Sequence, residues 1–423
     1  MNSFSRSWVG FLMLASLASV GAGDWPQWRG PQRTGHAAPE AQVPTALPGE
    51  PKVLWRLDIG GGFSSPVLAA GKLVYLDAQD GKEVAHLLDS RTGKELWRVP
   101  YAEMFADEWG PGPRSTPILE GDRVYVQSCK GEFRCLNLAD GKVMWGVSFE
   151  KDFGVTFLGP AVNAGSARHR GNDGSGVIDG DRIFLPVGSS DGASLVCFDK
   201  RTGKILWKTQ NDEAAYSSLL IATLAGVKQV VYFSGDALMG IAPGDGKLLW
   251  RVPLKTHAKR HAATPIIFGD SVIVNSHTIG LVCTRITKDG DALKASPGWA
   301  DKDLKINIST PILVDHFLYS QGAGKNFVCV DAADGKVMWS KEGFAEGYSA
   351  AIALGKHLLV QTDRGELIMQ APNSSHYTEL GRAQVCGKTW SHPAYSDGNL
   401  YVREGLTSGW KLTCFQLGQA QAP

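Results

Sequence analysis

Two histidines are the first residues whose types and spacing could do chemistry. His257 and His261 have the i, i+4 spacing of helical zinc ligands. The glutamate of a His-Glu-x-x-His motif is missing between them, and the segment leads into an alternating stretch that predicts a strand. We therefore expect no metal ion here, and we interpret Lys259 and Arg260 as a solvated basic tip. The sequence also contains no phosphate-binding glycine loop and no nucleophile elbow.

The seven cysteines form no redox or haem motif, because no two are adjacent and no Cys-x-x-Cys-His occurs. Five of them recur at one position of a repeated strand pattern: Cys135, Cys197, Cys283, Cys329 and Cys414. Equivalent positions of successive repeats face separate cores, so we expect these thiols to be small buried hydrophobes rather than disulfide partners. Cys129 and Cys135 flank a hairpin and are the one pair for which we consider a disulfide.

The element that must position any site is a repeated hairpin with the pattern Gly-Lys-x-x-Trp. Its glycine supplies the positive φ of a tight turn, and the residues beyond it predict a short strand that ends in a large aromatic side chain. Five copies occur, at residues 90–97, 138–145, 200–207, 243–250 and 332–339. The gap between the last two is about twice the period, which predicts one degenerate unit between them.

A second signature precedes these copies: a small residue or proline, an apolar pair, a turn and an alternating strand. It occurs eight times, at residues 64–76, 115–127, 175–187, 217–233, 263–275, 309–320, 349–361 and 391–403. Four short antiparallel strands per period predict an all-β fold, an eight-bladed β-propeller. The eighth unit supplies only three strands, and residues 51–59, with Trp55 at the repeat position, have the character of the missing outer strand. We expect this N-terminal strand to complete the last blade and close the ring.

The pattern Ala-x-Asp-x-x-Thr-Gly-Lys-x-x-Trp resembles the pyrroloquinoline-quinone-like (PQQ-like) β-propeller repeat. That repeat is found in quinoprotein dehydrogenases and in the propeller of the bacterial outer-membrane protein assembly machinery, and the resemblance covers about residues 50–417. It implies a ring in which each repeat tryptophan docks between neighbouring blades. The tryptophans at this position are Trp55, Trp97, Trp145, Trp207, Trp250 and Trp339.

The chain begins with the features of an export signal. Arg6 precedes an apolar run and then small residues, which is typical of a cleaved signal peptide over residues 1–23. We expect residues 24–50, which open with Asp-Trp-Pro-Gln-Trp, to form an arm that plugs one face of the ring. Residues 51–417 are the predicted propeller and residues 418–423 a tail. We therefore expect a periplasmic or extracellular protein without a transmembrane segment, and without a lipid anchor because no cysteine stands at the cleavage junction.

Propellers commonly bind ligands where loops enter the innermost strands around the central channel, a region called here the channel mouth. The repeat register places seven side chains of interest at or beside it: Phe63, Arg114, Tyr216, His261, Tyr348, Trp390 and His392. Such a set would suit a planar or anionic ligand, although the same residues could simply fill the mouth and bond to neighbouring loops. Two loops, residues 101–113 and 147–173, are longer than the repeat requires, and long loops on a rigid scaffold commonly carry function.

Two functions are compatible with these observations. The net charge of +1 favours neither nucleic acid nor an acidic membrane as a partner. The first function is that of an exported, non-catalytic, monomeric propeller that binds a protein or a carbohydrate-like ligand at the channel mouth, without a cofactor. The second, implied by the resemblance, is a quinoprotein dehydrogenase of alcohols or aldoses that uses PQQ and Ca²⁺. Those enzymes often carry a vicinal disulfide under the quinone, and adjacent cysteines are missing here. The sequence therefore favours the first function.

Overall fold

The structure is a computed structural model that describes residues 23–157, 167–257 and 259–418. The expected signal peptide and the expected tail lie outside the described residues, apart from Gly23 and Gly418.

The described chain forms eight four-stranded antiparallel sheets, which confirms the predicted eight-bladed propeller. Strand β1 (Lys52–Asp58) belongs to the last sheet, where it pairs with the C-terminal strand. The N-terminal strand therefore closes the ring, as predicted. A closed ring leaves each blade with a neighbour on both sides and avoids a long open edge.

The first four blades run from the innermost to the outermost strand in chain order. Their strands are β2–β5 (Val67–Ala69, Lys72–Gln79, Lys82–Asp89, Glu95–Glu103), β8–β11 (Ile118–Glu120, Arg123–Gln127, Glu132–Asn137, Val143–Ser148), β12–β15 (Val177–Asp179, Arg182–Leu185, Leu195–Asp199, Ile205–Thr209) and β16–β19 (Leu220–Leu224, Val227–Phe233, Ala237–Ile241, Leu248–Pro253). Three short elements lie between blades: the hairpin β6 (Ala106–Asp107) and β7 (Gly110–Pro111), helix α1 (Phe149–Phe153) and a 3₁₀ turn (Ala167–Arg170).

The other four blades follow the same order. Their strands are β20–β23 (Ile266–Phe268, Ser271–Ser276, Gly280–Asp289, Ala292–Asp301), β24–β27 (Ile312–Val314, Phe317–Gln321, Phe327–Asp331, Val337–Lys341), β28–β31 (Ser349–Leu354, His357–Thr362, Glu366–Gln370, Glu379–Gln384) and β32–β34 (Ala394–Ser396, Asn399–Glu404, Lys411–Gln416) with β1.

The repeat tryptophans pack across the gaps between blades. Trp145 of blade 2, for example, donates its indole N–H to the carbonyl of Lys200 in blade 3 at 3.0 Å. Its ring covers Gly203, where a Cβ atom would lie 2.5 Å from the indole. Five further tryptophans make the same bond to the next blade: Trp55 to Ser90, Trp97 to Leu138, Trp207 to Pro243, Trp299 to Ala332 and Trp339 to Asn373. The hairpin glycine is thus required for two reasons: its positive φ and the close approach of the tryptophan ring.

Two blades depart from this pattern. Trp250 bonds Gln229 of its own blade, because the next blade has two ten-residue outer strands in place of the short Gly-Lys hairpin. That next blade is the degenerate unit, and its tryptophan is Trp299, which the sequence pattern did not identify. In blade 7 the tryptophan position is held by Gly381, and Leu47 of the N-terminal arm packs over it.

The cysteines of the repeat lie opposite the docking tryptophans. Cys135, Cys197, Cys329 and Cys414 each face a tryptophan across the two outer strands, and all four are buried. All seven cysteines are free thiols. The repeat cysteines therefore lie in separate inter-blade cores, as the register read from the sequence predicted.

The N-terminal arm fills the central channel. Its backbone pairs with innermost strands at Trp25–Leu68 and at Ala37–Ala353. Polar contacts to five other blades hold it in place: Leu119 N–H to Pro26, Arg33 to Gly176, Trp28 to Thr264, Arg29 to Pro311, and Tyr395 to Gln42. The arm therefore contacts the innermost region of seven of the eight blades, and the channel is not an open pore.

Within the described residues, no helix is long and apolar enough to cross a membrane.

Candidate binding site

A cavity of about 460 Å³ opens at the channel mouth. This volume lies within the range of small-ligand pockets, about 300–1,000 Å³. Trp28 of the arm lies at its base, with an indole N–H bond to Thr264 of 2.8 Å and an edge contact to the ring of His392 at 5.4 Å. Because the arm fills the channel below, the cavity is a blind funnel that is open to solvent only at the mouth.

Six of the seven side chains predicted at the mouth line this cavity: Phe63, Arg114, Tyr216, Tyr348, Trp390 and His392. The seventh, His261, does not. It is buried, its ring stacks on Phe233 at 4.1 Å, and its Nε2 lies 3.1 Å from the carbonyl of Leu254. The chain turns between Arg260 and Ala262, so that these two residues face the cavity and the histidine between them faces the core.

Aromatic rings form one continuous wall of the cavity. Trp390 lies between Phe63, at 6.1 Å between ring centroids, and Trp109, at 5.2 Å. Trp410 supports Phe63 from behind at 5.4 Å. Trp109 is 45% exposed, an unusual state for so large an apolar side chain, and it stands at the rim of the funnel. This wall can stack against a flat or apolar group.

The two long loops meet at this site. Arg114 binds Asp107 of the β6–β7 hairpin through two bonds of 2.6 and 2.9 Å, and it donates to the carbonyl of Arg170 at 3.1 Å. Arg170 in turn binds Glu108 at 2.7 Å and lies over the ring of Trp109. Bidentate arginine–carboxylate pairs fix geometry well. The pairs therefore join the 101–113 loop to the end of the 147–173 loop and hold Trp109 at the rim.

The three carboxylates that line the cavity already have partners. Asp363 accepts the backbone N–H groups of residues 346, 347 and 348 at 3.0, 2.8 and 3.2 Å. Glu346 binds Lys325 and Arg364 at the rim. Asp173 lies 3.9 Å from Arg114 and accepts the thiol of Cys129 at 3.5 Å.

Arg260 differs from the other cations of the cavity. Its backbone carbonyl accepts a bond from Ser276 at 2.8 Å, which fixes the main chain. Every Asp and Glu of the chain lies among the described residues, and none of them brings a carboxylate oxygen within 4.0 Å of the Arg260 guanidinium. Its neighbour Lys259, in contrast, binds Glu213 and Asp236. The sequence predicted a solvated basic tip at Lys259 and Arg260. In the structure Lys259 is ion-paired and Arg260 lines the cavity.

Behind the cavity wall lies a buried acidic group. Glu83 accepts a bond from the hydroxyl of Tyr101 at 2.9 Å and lies close to the backbone N–H of Phe105. Burial raises the pKa of Glu83 to about 7, and burial likewise raises the pKa of Asp173 to about 6. Both groups therefore titrate near neutral pH.

The titration of Glu83 predicts a pH-dependent stability. Its pKa is higher in the folded than in the unfolded chain, so its contribution is fully present at acidic pH and is lost as pH rises through about 7. Between pH 5 and pH 8 the wild-type free energy of unfolding should fall by about 2–3 kcal/mol more than that of Glu83→Gln. Chemical denaturation of both proteins at several pH values measures this difference. Parallel pH profiles would contradict the assignment.

The sequence did not identify several lining residues. Trp28, Trp109, Arg170, Asp173, Asn307 and Asp363 come from the arm and the loops. For Trp28, Trp109, Arg170 and Asp173 the only signal was the pair of tryptophans that opens the arm and the unusual length of the 101–113 and 147–173 loops. Asn307 and Asp363 lie in other loops and had neither signal. No periodicity places a loop residue, because its position depends on which other loop it packs against.

The lining residues do not fit a calcium-bound quinone. Trp390 offers a flat platform, but both terminal nitrogens of Arg114 are bound to Asp107 and are not free for the carboxylates of a quinone. Calcium requires about six to eight oxygen ligands. The described residues contain no cluster of three or more His, Cys, Asp or Glu side chains arranged for a metal, and each lining carboxylate already binds the partners described above.

The fold and this site define a class: an eight-bladed propeller with a plugged channel and one aromatic-lined blind cavity at its mouth. A family model described as outer membrane protein assembly factor BamB matches residues 49–145 and 81–341. The chain belongs to this family.

Curated relatives carry the same description at low identity. The BamB proteins of Shewanella oneidensis and Yersinia pestis are 22% and 21% identical over 84% and 68% of this chain, and the matches span 86% and 70% of those relatives. The match to the BamB of Moranella endobia is 24% identical over 53% of this chain and spans only 56% of that relative.

Solved structures share the fold. BamB from Moraxella catarrhalis superimposes with a TM-score of 0.57 and 11% identity, over 87% of this chain and 100% of that one. A quinohemoprotein alcohol dehydrogenase from Comamonas testosteroni superimposes with a TM-score of 0.51 and 15% identity, over 95% of this chain and 82% of that one. An assembly factor and an enzyme thus share this architecture, so function must be argued from the site.

Proposed function

We propose that this chain is an exported, non-catalytic scaffold that binds a protein partner at the channel mouth, in the periplasm or outside the cell. The observation that carries the proposal is the blind cavity with an exposed tryptophan at its rim, because exposed aromatic side chains beside a pocket are typical of binding surfaces. Membership of a family described as an assembly factor supports the same role.

Site-specific photo-crosslinking tests which face binds the partner. The innermost strands begin at the mouth, so in antiparallel blades the outermost strands begin at the opposite face. Trp109 at the rim and Leu206 at the start of β15 are 45% and 44% exposed and thus form a matched pair. A photoreactive residue at position 109 should capture a protein in the native host, and the same residue at 206 should not. Equal capture at both positions, or capture at 206 alone, would contradict the proposal.

We also propose that the protein works without a quinone. Gel filtration after incubation with PQQ and Ca²⁺ should leave no quinone absorbance with the protein, because Arg114 is already neutralised by Asp107 and a quinone carboxylate would lack its cation. Quinone that co-elutes with the wild type, but not with Arg114→Ala, would instead support a dehydrogenase.

A further inference from the structure

The shape of the cavity limits what a protein partner can insert. The arm closes the channel below Trp28, and seven blades hold the arm in place. A polypeptide therefore cannot pass through the ring. A chain end or a single protruding side chain can enter the funnel from the mouth without passing through it.

The charges of the lining residues select among these groups. Asp363, Glu346 and Asp173 are each already bonded by protein donors, so their negative charge is partly compensated before a positively charged chain end arrives. Among the lining guanidinium groups, Arg114 and Arg170 are paired with Asp107 and Glu108. Arg260 is the cation of the cavity without a carboxylate partner among the described residues, and Asn307 lies on the same cavity surface. The available charge is therefore positive, and it suits a carboxylate.

Aromatic rings provide much of the remaining surface, beside the hydroxyl groups of Thr116, Ser175 and Ser218. Trp28, Phe63, Trp390 and Tyr348 contribute rings to the cavity, and Trp109 extends this surface to the rim. A flat or large apolar side chain next to the carboxylate would bury its surface against these rings, while a small or charged one would leave the wall exposed.

Together these features identify the inserted group. We propose that the cavity receives the C-terminal end of a polypeptide, with its α-carboxylate on Arg260 and an aromatic or large aliphatic last side chain against the Trp390 wall. This inference rests on the proposed protein-binding function and names the part of the partner that is recognised. An internal acidic side chain is less suitable, because its flanking backbone polar groups would have to be desolvated against the aromatic wall.

Synthetic peptides test the inference directly. The probe is an N-terminally labelled eight-residue peptide that ends in Phe with a free carboxylate, and fluorescence anisotropy measures its affinity for the purified mature protein. The matched peptides carry a C-terminal amide, or Ala in place of Phe. We expect each change to weaken binding by about tenfold or more, since a charge-assisted pair and a buried aromatic ring each contribute at that level.

Protein variants separate recognition from folding. Arg260→Gln should weaken the carboxylate peptide about tenfold and leave the amide peptide unchanged, so that the variant no longer distinguishes them. Arg91→Gln, an exposed arginine in the hairpin at the opposite face, is the matched control and should bind like the wild type. Thermal unfolding checks that both variants are folded.

Several outcomes would overturn the inference. The inference is wrong if the acid and amide peptides bind the wild type equally, or if Arg260→Gln weakens both to the same extent. It is also wrong if an acidic sugar such as a diuronate binds while the peptides do not. If crosslinking at position 109 still captures a protein in these cases, the proposed function stands and only the inserted group is wrong. If the peptides bind as expected but no protein is captured in the host, the cavity recognises carboxylates and the scaffold function fails.

Discussion

A chain that lacks residues 24–58 is expected to lose most of its stability, with the free energy of unfolding reduced by at least about 5 kcal/mol, a large part of what a typical protein has. Strand β1 pairs along the whole of β34, and Trp55 packs on Tyr401 at 5.9 Å and bonds the carbonyl of Ser90 in blade 1. Removing it exposes the edge of β34 and the core between the last and the first blade. The deletion also removes the plug from the channel.

A truncation series separates the two contributions. A mature chain that begins at residue 51 lacks only the arm and keeps β1, so it should remain a closed ring of intermediate stability. Denaturant unfolding followed by tryptophan fluorescence and by circular dichroism measures all three chains. The ring-closing role would be excluded if the chain without residues 24–58 unfolded at the same denaturant concentration as the parent.

Trp145→Ala should cost about 3–5 kcal/mol, the range observed when a large buried aromatic side chain is truncated. The side chain is 9% exposed and contacts Phe133 at 5.6 Å and Phe198 at 6.2 Å, so its loss opens a cavity between blades 2 and 3. Trp145→Phe keeps most of the packing and removes the N–H bond to Lys200, and it should cost less than Trp145→Ala. Chemical denaturation provides the measurement.

The contact between Trp145 and Gly203 can also be tested by substituting the glycine. Gly203 and Gly180 both have positive φ, 72° and 58°, and both lie in blade 3. Alanine at Gly180 meets no heavy atom within 4 Å, and should cost only the backbone strain of about 1 kcal/mol. Alanine at Gly203 would lie 2.5 Å from the Trp145 ring and should cost about 1–3 kcal/mol more. Equal costs at the two glycines would show that the tryptophan does not depend on this close approach.

The repeat made the fold predictable because it records local geometry. In the five copies of the repeat, the hairpin requires a glycine of positive φ and the outer strand a large ring four residues later, so the number of blades and the closing strand could be predicted from the spacing. The pattern failed in two blades. Trp299 follows a longer hairpin, and Leu47 of the arm takes the place of a tryptophan above Gly381. The longer hairpin breaks the spacing of the repeat, and the Leu47 contact joins distant segments, so neither leaves a periodic signal.

The sequence also predicted part of the candidate site. The strand register placed one residue of each blade at the mouth, and Phe63, Arg114, Tyr216, Tyr348 and Trp390 do line one cavity. The register could not show which way a loop side chain turns. His261 was expected in the cavity and Arg260 in solvent, whereas His261 is buried against Phe233 and Arg260 lines the cavity.

The sequence by itself thus determined the eight blades, their hairpins, the closing strand and the ring of residues around the mouth, because each follows from short-range φ preferences and strand alternation. Only the tertiary structure decided that the arm seals the channel and that the two long loops join through Arg114 and Asp107. The tertiary structure also decided which cation of the cavity is left without an ion-pair partner. Ion pairing depends on distances between residues far apart in the chain, and Arg260 has no carboxylate partner among the described residues, whereas Lys259 beside it binds Glu213 and Asp236.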